Sequence, residues 1–262
     1  MNITGIFFLL LDSNGETSVQ AQPGVLSAPK KHSLVQVYNF DDLPLITMNV
    51  ARIGAQTPGM ASEIAGNEKH FAVVGFGPMT WTLLTPDKPV PSGFRAYDET
   101  EIEGEDVPET EGDIMLYFSS DHEDLNREIA SQVGDLFGKD GELVEEVYLK
   151  DFDRVNATEN ILVDRLTNLD TEKSSFVFTQ QFQGEEDIPS SHYQNSFLYN
   201  ANRYTMTYSN DPAQLEIYGE SVSRPPVSRR VFFIPSLDLL TSLRMGGIRM
   251  GSLAINAKWK GQ

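Results

Sequence analysis

The pattern of apolar and polar residues predicts four strands in the first half of the chain. Residues 34–40 alternate apolar and polar side chains with a period of two, which is typical of a half-buried strand. Residues 71–74, 113–119 and 142–149 predict three further strands. The acidic residues 99–111 have no periodicity, and we expect a solvated loop there.

The helix before the last of these strands has the clearest pattern. Ser120 and Glu123 have the spacing of a capping box, and Gly138 stands where a C-cap is expected. The apolar residues that share one face of this predicted helix are Leu125, Ile129, Val133, Leu136 and Phe137. With another helix expected after the first strand, the order is strand, helix, strand, strand, helix, strand. That order is ferredoxin-like.

The second half is less regular but compatible with a similar unit. Strand patterns occur at residues 176–182, 203–208, 215–218 and 231–234, and residues 236–243 suit a short amphipathic helix. We therefore predict an α+β fold of two ferredoxin-like units, antiparallel sheets with helices packed on them, of which the second is trimmed. The predicted division is 1–150 for the N-terminal unit, 151–244 for the C-terminal unit and 245–262 for a tail.

Composition excludes several classes of function. The 262 residues include 38 acidic and 20 basic side chains, so the net charge is −18. This charge repels phosphate backbones and anionic lipid, and we expect neither nucleic acid nor a membrane as a partner. The apolar run at 6–11 is too short to span a bilayer and lacks the features of a secretion signal, which predicts a cytoplasmic protein.

Histidine must supply any soft metal ligand, because the chain contains no cysteine. The absence of cysteine also excludes disulfides, thiolate zinc sites and iron–sulfur clusters. The four histidines are His32, His70, His122 and His192. Acidic residues surround His122 at a predicted helix start, and we interpret them as favourable charges near the helix N-terminus.

Four segments of the chain resemble segments of one protein family, and they occur in the same order as in that family. They are DRVNATEN at 153–160, AVVGFGPMTW at 72–81, the strand and helix that follow Gly112, and PVSRRVFFIPSLDLLTSL at 226–243. Together they resemble the dye-decolourising (DyP-type) haem peroxidases, whose Gly-x-x-Asp-Gly motif often continues as Thr-Glu-Asn-Pro. The resemblance extends over residues 23–243.

The resemblance implies a haem b, held in the C-terminal unit by a proximal histidine and facing a distal aspartate and arginine. By pattern, His192 is the iron ligand, since it follows Ser191 and precedes a strand of the form Arg-x-x-Leu/Met-x-Tyr that begins at Arg203. The Arg203 guanidinium would stabilise developing charge or hold a haem propionate. Two alternatives stay open: His192 as a surface-loop residue, and Arg203 as a strand residue paired with a carboxylate.

The sequence departs from the family at the distal acid. The three fixed motif positions are Asp153, Asn156 and Ala157, and asparagine can orient peroxide but cannot shuttle a proton. Only residues 183–191 stand where the family has a long, mostly helical stretch that walls the haem. Two hypotheses follow: a DyP-type peroxidase that uses hydrogen peroxide to oxidise an organic reductant, or a degenerate scaffold that binds or assembles without redox turnover.

Two expectations concern partners. Ferredoxin-like units leave a sheet edge or face available for pairing, so we predict a homo-oligomer. Residues 250–253, MGSL, are similar to the Gly-Ser-Leu peptides by which some family members are loaded into encapsulin shells. A shell-loaded cargo protein is therefore a weaker third hypothesis.

Overall fold

The structure is a computed structural model, and it describes residues 20–26, 29–86, 90, 94–95, 100–102, 105–107, 110–155, 174–183, 194–199, 202–209 and 226–245. Its helices are α1 (Pro23–Leu26), α2 (Leu43–Ala65), α3 (Pro78–Leu84), α4 (Glu123–Phe137) and α5 (Leu237–Met245), with a 3-10 turn at Gly138–Asp140. Its strands are β1 (His32–Phe40), β2 (His70–Phe76), β3 (Thr100–Ile102), β4 (Glu105–Val107), β5 (Ile114–Ser120), β6 (Gly141–Val155), β7 (Ser175–Gln183), β8 (Gln194–Tyr199), β9 (Asn202–Ser209) and β10 (Ser228–Ile234).

The first sheet confirms the predicted ferredoxin-like unit. Its strands lie in the order β6-β1-β5-β2, and every neighbouring pair is antiparallel. Counted along the chain, this is strand order 4-1-3-2. Helices α2 and α4 pack on its outer face around a core that includes Leu34, Val50, Ile129 and Val133.

The second sheet repeats the same strand order with shorter connections. Its strands lie in the order β10-β7-β9-β8, again 4-1-3-2 and again antiparallel at every pair. Residues 184–193 connect its first two strands, whereas the equivalent connection in the first unit is residues 41–69. This confirms two ferredoxin-like units with the second one trimmed.

The two sheets close into one eight-stranded barrel. Strand β2 pairs with β10 and β6 pairs with β8, so each closing pair joins the second strand of one unit to the fourth strand of the other. This gives the barrel an approximate twofold relationship between its halves. Its interior is packed with apolar and aromatic side chains, among them Val35, Met115, Val177, Tyr204 and Phe232.

Details of two predicted segments differ from the structure. Helix α4 begins after His122, which is extended and occupies the N-cap position. Ser120 hydrogen-bonds the His122 backbone instead of capping the helix. On α4, Leu136 is 43% exposed instead of buried. Asn126 is buried in the same helix, and its amide donates a hydrogen bond to the His32 carbonyl at 3.0 Å. The short hairpin of β3 and β4 lies within the predicted loop.

The strands of the second half differ from the prediction at one place. Strand β8 was not predicted, and the strand predicted at 215–218 lies outside the described residues. In the part of the chain that the structure describes, no helix combines the length and apolar character needed to cross a membrane.

Candidate functional site

The outer face of the second sheet carries an unusual set of polar side chains. Along β7, β9 and β10, alternate residues such as Val177, Tyr204 and Phe232 belong to the barrel interior. The residues between them therefore point to the opposite face. The polar residues of that outer face are Gln180, Arg203, Thr205, Thr207 and Arg229, and all five are buried.

Three of these residues form one row across the sheet, which we call the polar row: Arg229, Gln180 and Thr205. Arg229 on β10 is in register with Gln180 on β7, and Gln180 is in register with Thr205 on β9. The backbone register continues to Ser196 on β8 and then to Asp153 on β6. Because strand partners share a face, the polar row is fixed by the pairing of three strands.

Two atoms of the polar row lack hydrogen-bond partners among the described residues. They are Gln180 Nε2 and Thr205 Oγ1, on side chains that are 2% and 1% exposed. Leaving a buried polar group unpaired costs about 1–3 kcal/mol, and such groups are rare in folded proteins. Two of them at paired positions on neighbouring strands make this face a candidate ligand surface.

Positive charge and apolar area accompany these atoms. The guanidinium groups of Arg203 and Arg229 belong to side chains that are each 6% exposed. Buried arginines on one face favour an anionic or strongly accepting group. Phe178, Phe182 and Val231 are buried on the same face. An apolar surface with a few converging polar groups is the usual character of a small-molecule or cofactor site.

An aromatic cluster borders this face on the β10 side. Trp81 from α3 packs on Phe233 with ring centroids 4.0 Å apart, and Phe176 lies 5.3 Å from Phe233. Phe94 contacts Phe176 at 5.1 Å. These rings pack the β10 side of the outer face against α3.

The structure places one of the three predicted site residues. Arg203 lies on β9, in register with Phe182, and belongs to the outer face. Asn156 and His192 lie outside the described residues, so their positions stay predictions. The polar row was missed by sequence analysis, although the two adjacent glutamines in the strand FVFTQQF were an available signal.

The other histidines belong to the first unit and its surface. His122 Nε2 lies 3.3 Å from Glu68 Oε2, and His70 Nε2 lies 3.2 Å from Ser62 Oγ; all four residues are exposed or half-buried. Within the described ranges, no three histidine, aspartate or glutamate side chains converge as a metal site would require.

Comparison with known proteins shows the fold. No protein-family model matches the chain, and no curated protein matches it by sequence. Among solved structures, a dye-decolorizing peroxidase from Bacteroides thetaiotaomicron VPI-5482 is 18% identical, with a TM-score of 0.65 over 86% of this chain and 99% of that one.

Two further structures are similar to the same extent. A DypB variant from Rhodococcus jostii RHA1, in complex with heme, is 16% identical with a TM-score of 0.68 over 86% of this chain and 100% of that one. The encapsulated DyP-type peroxidase from Mycobacterium smegmatis is 16% identical with a TM-score of 0.67 over 85% and 98% of the two chains. The chain therefore has the fold of the DyP-type peroxidases.

Proposed function

We propose that this protein is a haem-dependent peroxidase of the DyP type, which uses hydrogen peroxide to oxidise an organic reductant. The observation that carries the proposal is the polar row. Gln180 Nε2 and Thr205 Oγ1 are buried without partners among the described residues, on a face that also carries Arg203. The fold, shared with DyP-type peroxidases that include a heme complex, supports the same assignment.

The residues of the outer face fit a haem b. A porphyrin needs a broad apolar surface, to which Phe182 of the outer face would contribute; Phe178 and Val231 pack in the aromatic cluster with Trp81 and Phe94. Its propionates are anionic, and the guanidinium groups of Arg203 and Arg229 suit them. We propose that His192, which the family resemblance indicates, would hold the haem iron.

When bound, haem iron would supply the redox chemistry, which is reduction of peroxide to water at the expense of the reductant. This chain's own residues bind and orient. Arg203 offers fixed donors to the peroxide oxygen on which negative charge develops. Gln180 and Thr205 add one donor each beside it, and they hold the oxygen in place by hydrogen bonds.

Proton transfer is the weak step of this proposal. Asn156 stands where the family has an aspartate, and an amide neither takes nor gives a proton at neutral pH. Loss of a general acid–base group lowers a rate by about 100- to 10,000-fold. This substitution favours the second candidate function, a degenerate scaffold that binds or assembles without redox turnover.

The proposal extends to the domain division, the oligomeric state and the cellular location of the chain. We propose that the chain divides at 1–150, 151–244 and 245–262, associates as a homo-oligomer and is cytoplasmic. The weaker hypothesis of loading into an encapsulin shell is supported by residues 250–253 and by the encapsulated neighbour from Mycobacterium smegmatis. Co-expression with a shell protein, with and without 245–262, tests it through co-purification.

Haem titration of the purified protein tests the central proposal. We expect a saturable Soret band that shifts in His192→Ala and stays unchanged in the matched control His122→Ala, whose histidine is exposed on the first unit. An unaltered spectrum in His192→Ala would remove the ligand assignment. Guaiacol oxidation above the rate of free haem then separates the peroxidase from the degenerate scaffold.

A further inference from the structure

A cleft of about 310 Å³ lies between the two units, at the side of the barrel where α3 meets β10. Its walls come from α3, residues 90 and 94–95, residues 110–113 and β10. This volume is within the range that small ligands occupy in proteins. The cleft is lined by a different set of residues from the polar row and does not depend on haem.

Apolar side chains form most of the walls. Phe94 and Val231 are buried at the base, whereas Met79 and Val90 are 62% and 46% exposed. Exposed apolar side chains around one concavity are typical of ligand-binding clefts, because a bound ligand would shield them from water. The Met79 thioether is flexible and polarisable, and it adapts well to the face or edge of a ring.

Asp113 lines the cleft, and its carboxyl group is held in a fixed position. Asp113 Oδ2 accepts a hydrogen bond from the Phe40 amide at 2.9 Å. The Asp113 backbone is fixed by three more bonds, with Gly77 N, Thr80 Oγ1 and Tyr38 O at 2.8–3.0 Å. A carboxylate can accept about four hydrogen bonds, so Asp113 retains capacity for a ligand donor.

The lining carries charges of both signs. Arg95 and Arg230 lie in it together with Glu111 and Asp113, and Arg230 is already paired with Glu145. An anion would meet the two carboxylates, and a cation would meet the two guanidinium groups. A neutral molecule avoids both costs and still uses the Asp113 acceptor if it carries an O–H or N–H group.

We propose that this cleft binds a neutral aromatic alcohol, with its ring between Met79, Val90 and Phe94 and its hydroxyl donating to Asp113. The side chains that hold the ring are apolar, and the acceptor is fixed before binding. Association therefore costs little additional conformational entropy. The inference stands on the cleft alone and goes beyond the haem proposal.

Binding to the full chain, measured by saturation-transfer difference NMR, tests the inference. The probes are 4-methylphenol and 4-methylanisole, in which a methyl group replaces the hydroxyl hydrogen and so removes the O–H donor. We expect the wild type to prefer the phenol by about tenfold, as one hydrogen bond to a charged acceptor provides. Asp113→Asn should bring the two affinities together.

Variants that place a negative charge at exposed apolar residues of the cleft provide a second test. Met79→Glu and Val90→Glu should each weaken phenol binding by about tenfold, because they replace exposed apolar contacts with hydrated carboxylates. Leu45→Glu is the matched control, since Leu45 is 81% exposed on α2 and outside the cleft. Circular dichroism checks that each variant folds.

Three outcomes would overturn the inference: no binding up to the solubility limit of the phenol, equal binding of both probes by the wild type, or equal effects of Met79→Glu and Leu45→Glu. None of these outcomes bears on the haem proposal, because the measurement reads ligand binding without turnover. A Soret band without phenol binding, or the reverse, separates the two.

Discussion

Glu145 and Arg230 form an ion pair that crosses the interior of the barrel. Glu145 is on β6 and Arg230 is on β10, which lie four strands apart in either direction around the barrel. Each strand is the fourth of its own unit, so the pair joins equivalent positions of the two halves. The two side chains are 9% exposed, and the Tyr204 hydroxyl also donates to Glu145, at 3.2 Å.

Removing one partner of this pair should be costly. Glu145→Leu leaves the Arg230 charge buried, and we expect the free energy of unfolding to fall by about 3–5 kcal/mol. The double variant Glu145→Leu/Arg230→Met should recover most of that loss, since two apolar side chains replace two charges. Urea denaturation of the wild type, Glu145→Leu, Arg230→Met and the double variant measures the coupling.

The exposed pair Glu123–Arg127 on α4 is the control for this cycle. Its Glu123→Leu variant should change stability little, because the pair is solvated and screened. Equal losses in Glu145→Leu and Glu123→Leu would contradict the description of a buried pair between the units.

Gly77 is a position where two backbones approach too closely for any side chain. A Cβ atom at Gly77 would lie 1.8 Å from the Gly112 carbonyl oxygen. We expect Gly77→Ala to destabilise the protein by about 3 kcal/mol, because backbone atoms cannot move aside cheaply. The loss should appear in the midpoint of thermal or urea unfolding.

Gly59→Ala is the matched control. Gly59 lies inside α2 with open space around it, so alanine should raise stability by up to about 1 kcal/mol through helix propensity. A Gly77→Ala variant as stable as the wild type would show that the β2–α3 junction tolerates a wider separation than described.

Asp113 should make stability depend on pH. Partial burial, and to a lesser extent the Glu111 charge, raise the pKa of its carboxyl from 3.8 to about 6. Between these values the folded state holds the proton more often than the unfolded state, so stability falls as pH rises from about 4 to 6. Above that range the loss stays constant.

Asp113→Asn removes this loss and keeps an acceptor for the Phe40 amide. Because the carboxyl is partly solvated, we expect a gain of only about 1–2 kcal/mol at pH 7.5, which disappears at pH 4. Urea unfolding at both pH values measures the difference. Asp41→Asn, at an exposed turn, controls for the loss of one negative charge. A pH-independent difference would contradict the burial of Asp113.

Thr205 should show the opposite behaviour to an ordinary buried threonine. Thr205→Val removes a hydroxyl that is unpaired among the described residues, and we expect the haem-free protein to gain about 1 kcal/mol. The same variant should bind haem more weakly. Thr57→Val is the control: the Thr57 hydroxyl donates to Ile53 O at 3.0 Å, so its removal should cost about 1 kcal/mol. Equal losses in both variants would show that Thr205 has a structural partner.

Sequence analysis located most of the barrel because strand and helix periodicities are local. Residues 34–40 and 113–119 alternate or are continuously apolar, and they became β1 and β5. Strand β8 was missed because QNSFLY is short and half polar, and its strand conformation depends on pairing with β6 and β9. The predicted capping box failed for a similar reason, since β5 extends through Ser120 and pairs it with His32.

By itself the sequence determined the α+β class, the order of the elements, the large negative charge and Arg203 as a site candidate. The tertiary structure decided that Arg229, Gln180 and Thr205 share one row, and that Met79, Phe94 and Asp113 line one cleft. Those relationships join residues far apart in the chain, and they exist only once strand register and barrel closure are fixed by hydrogen bonds between distant strands. No local pattern contains that register.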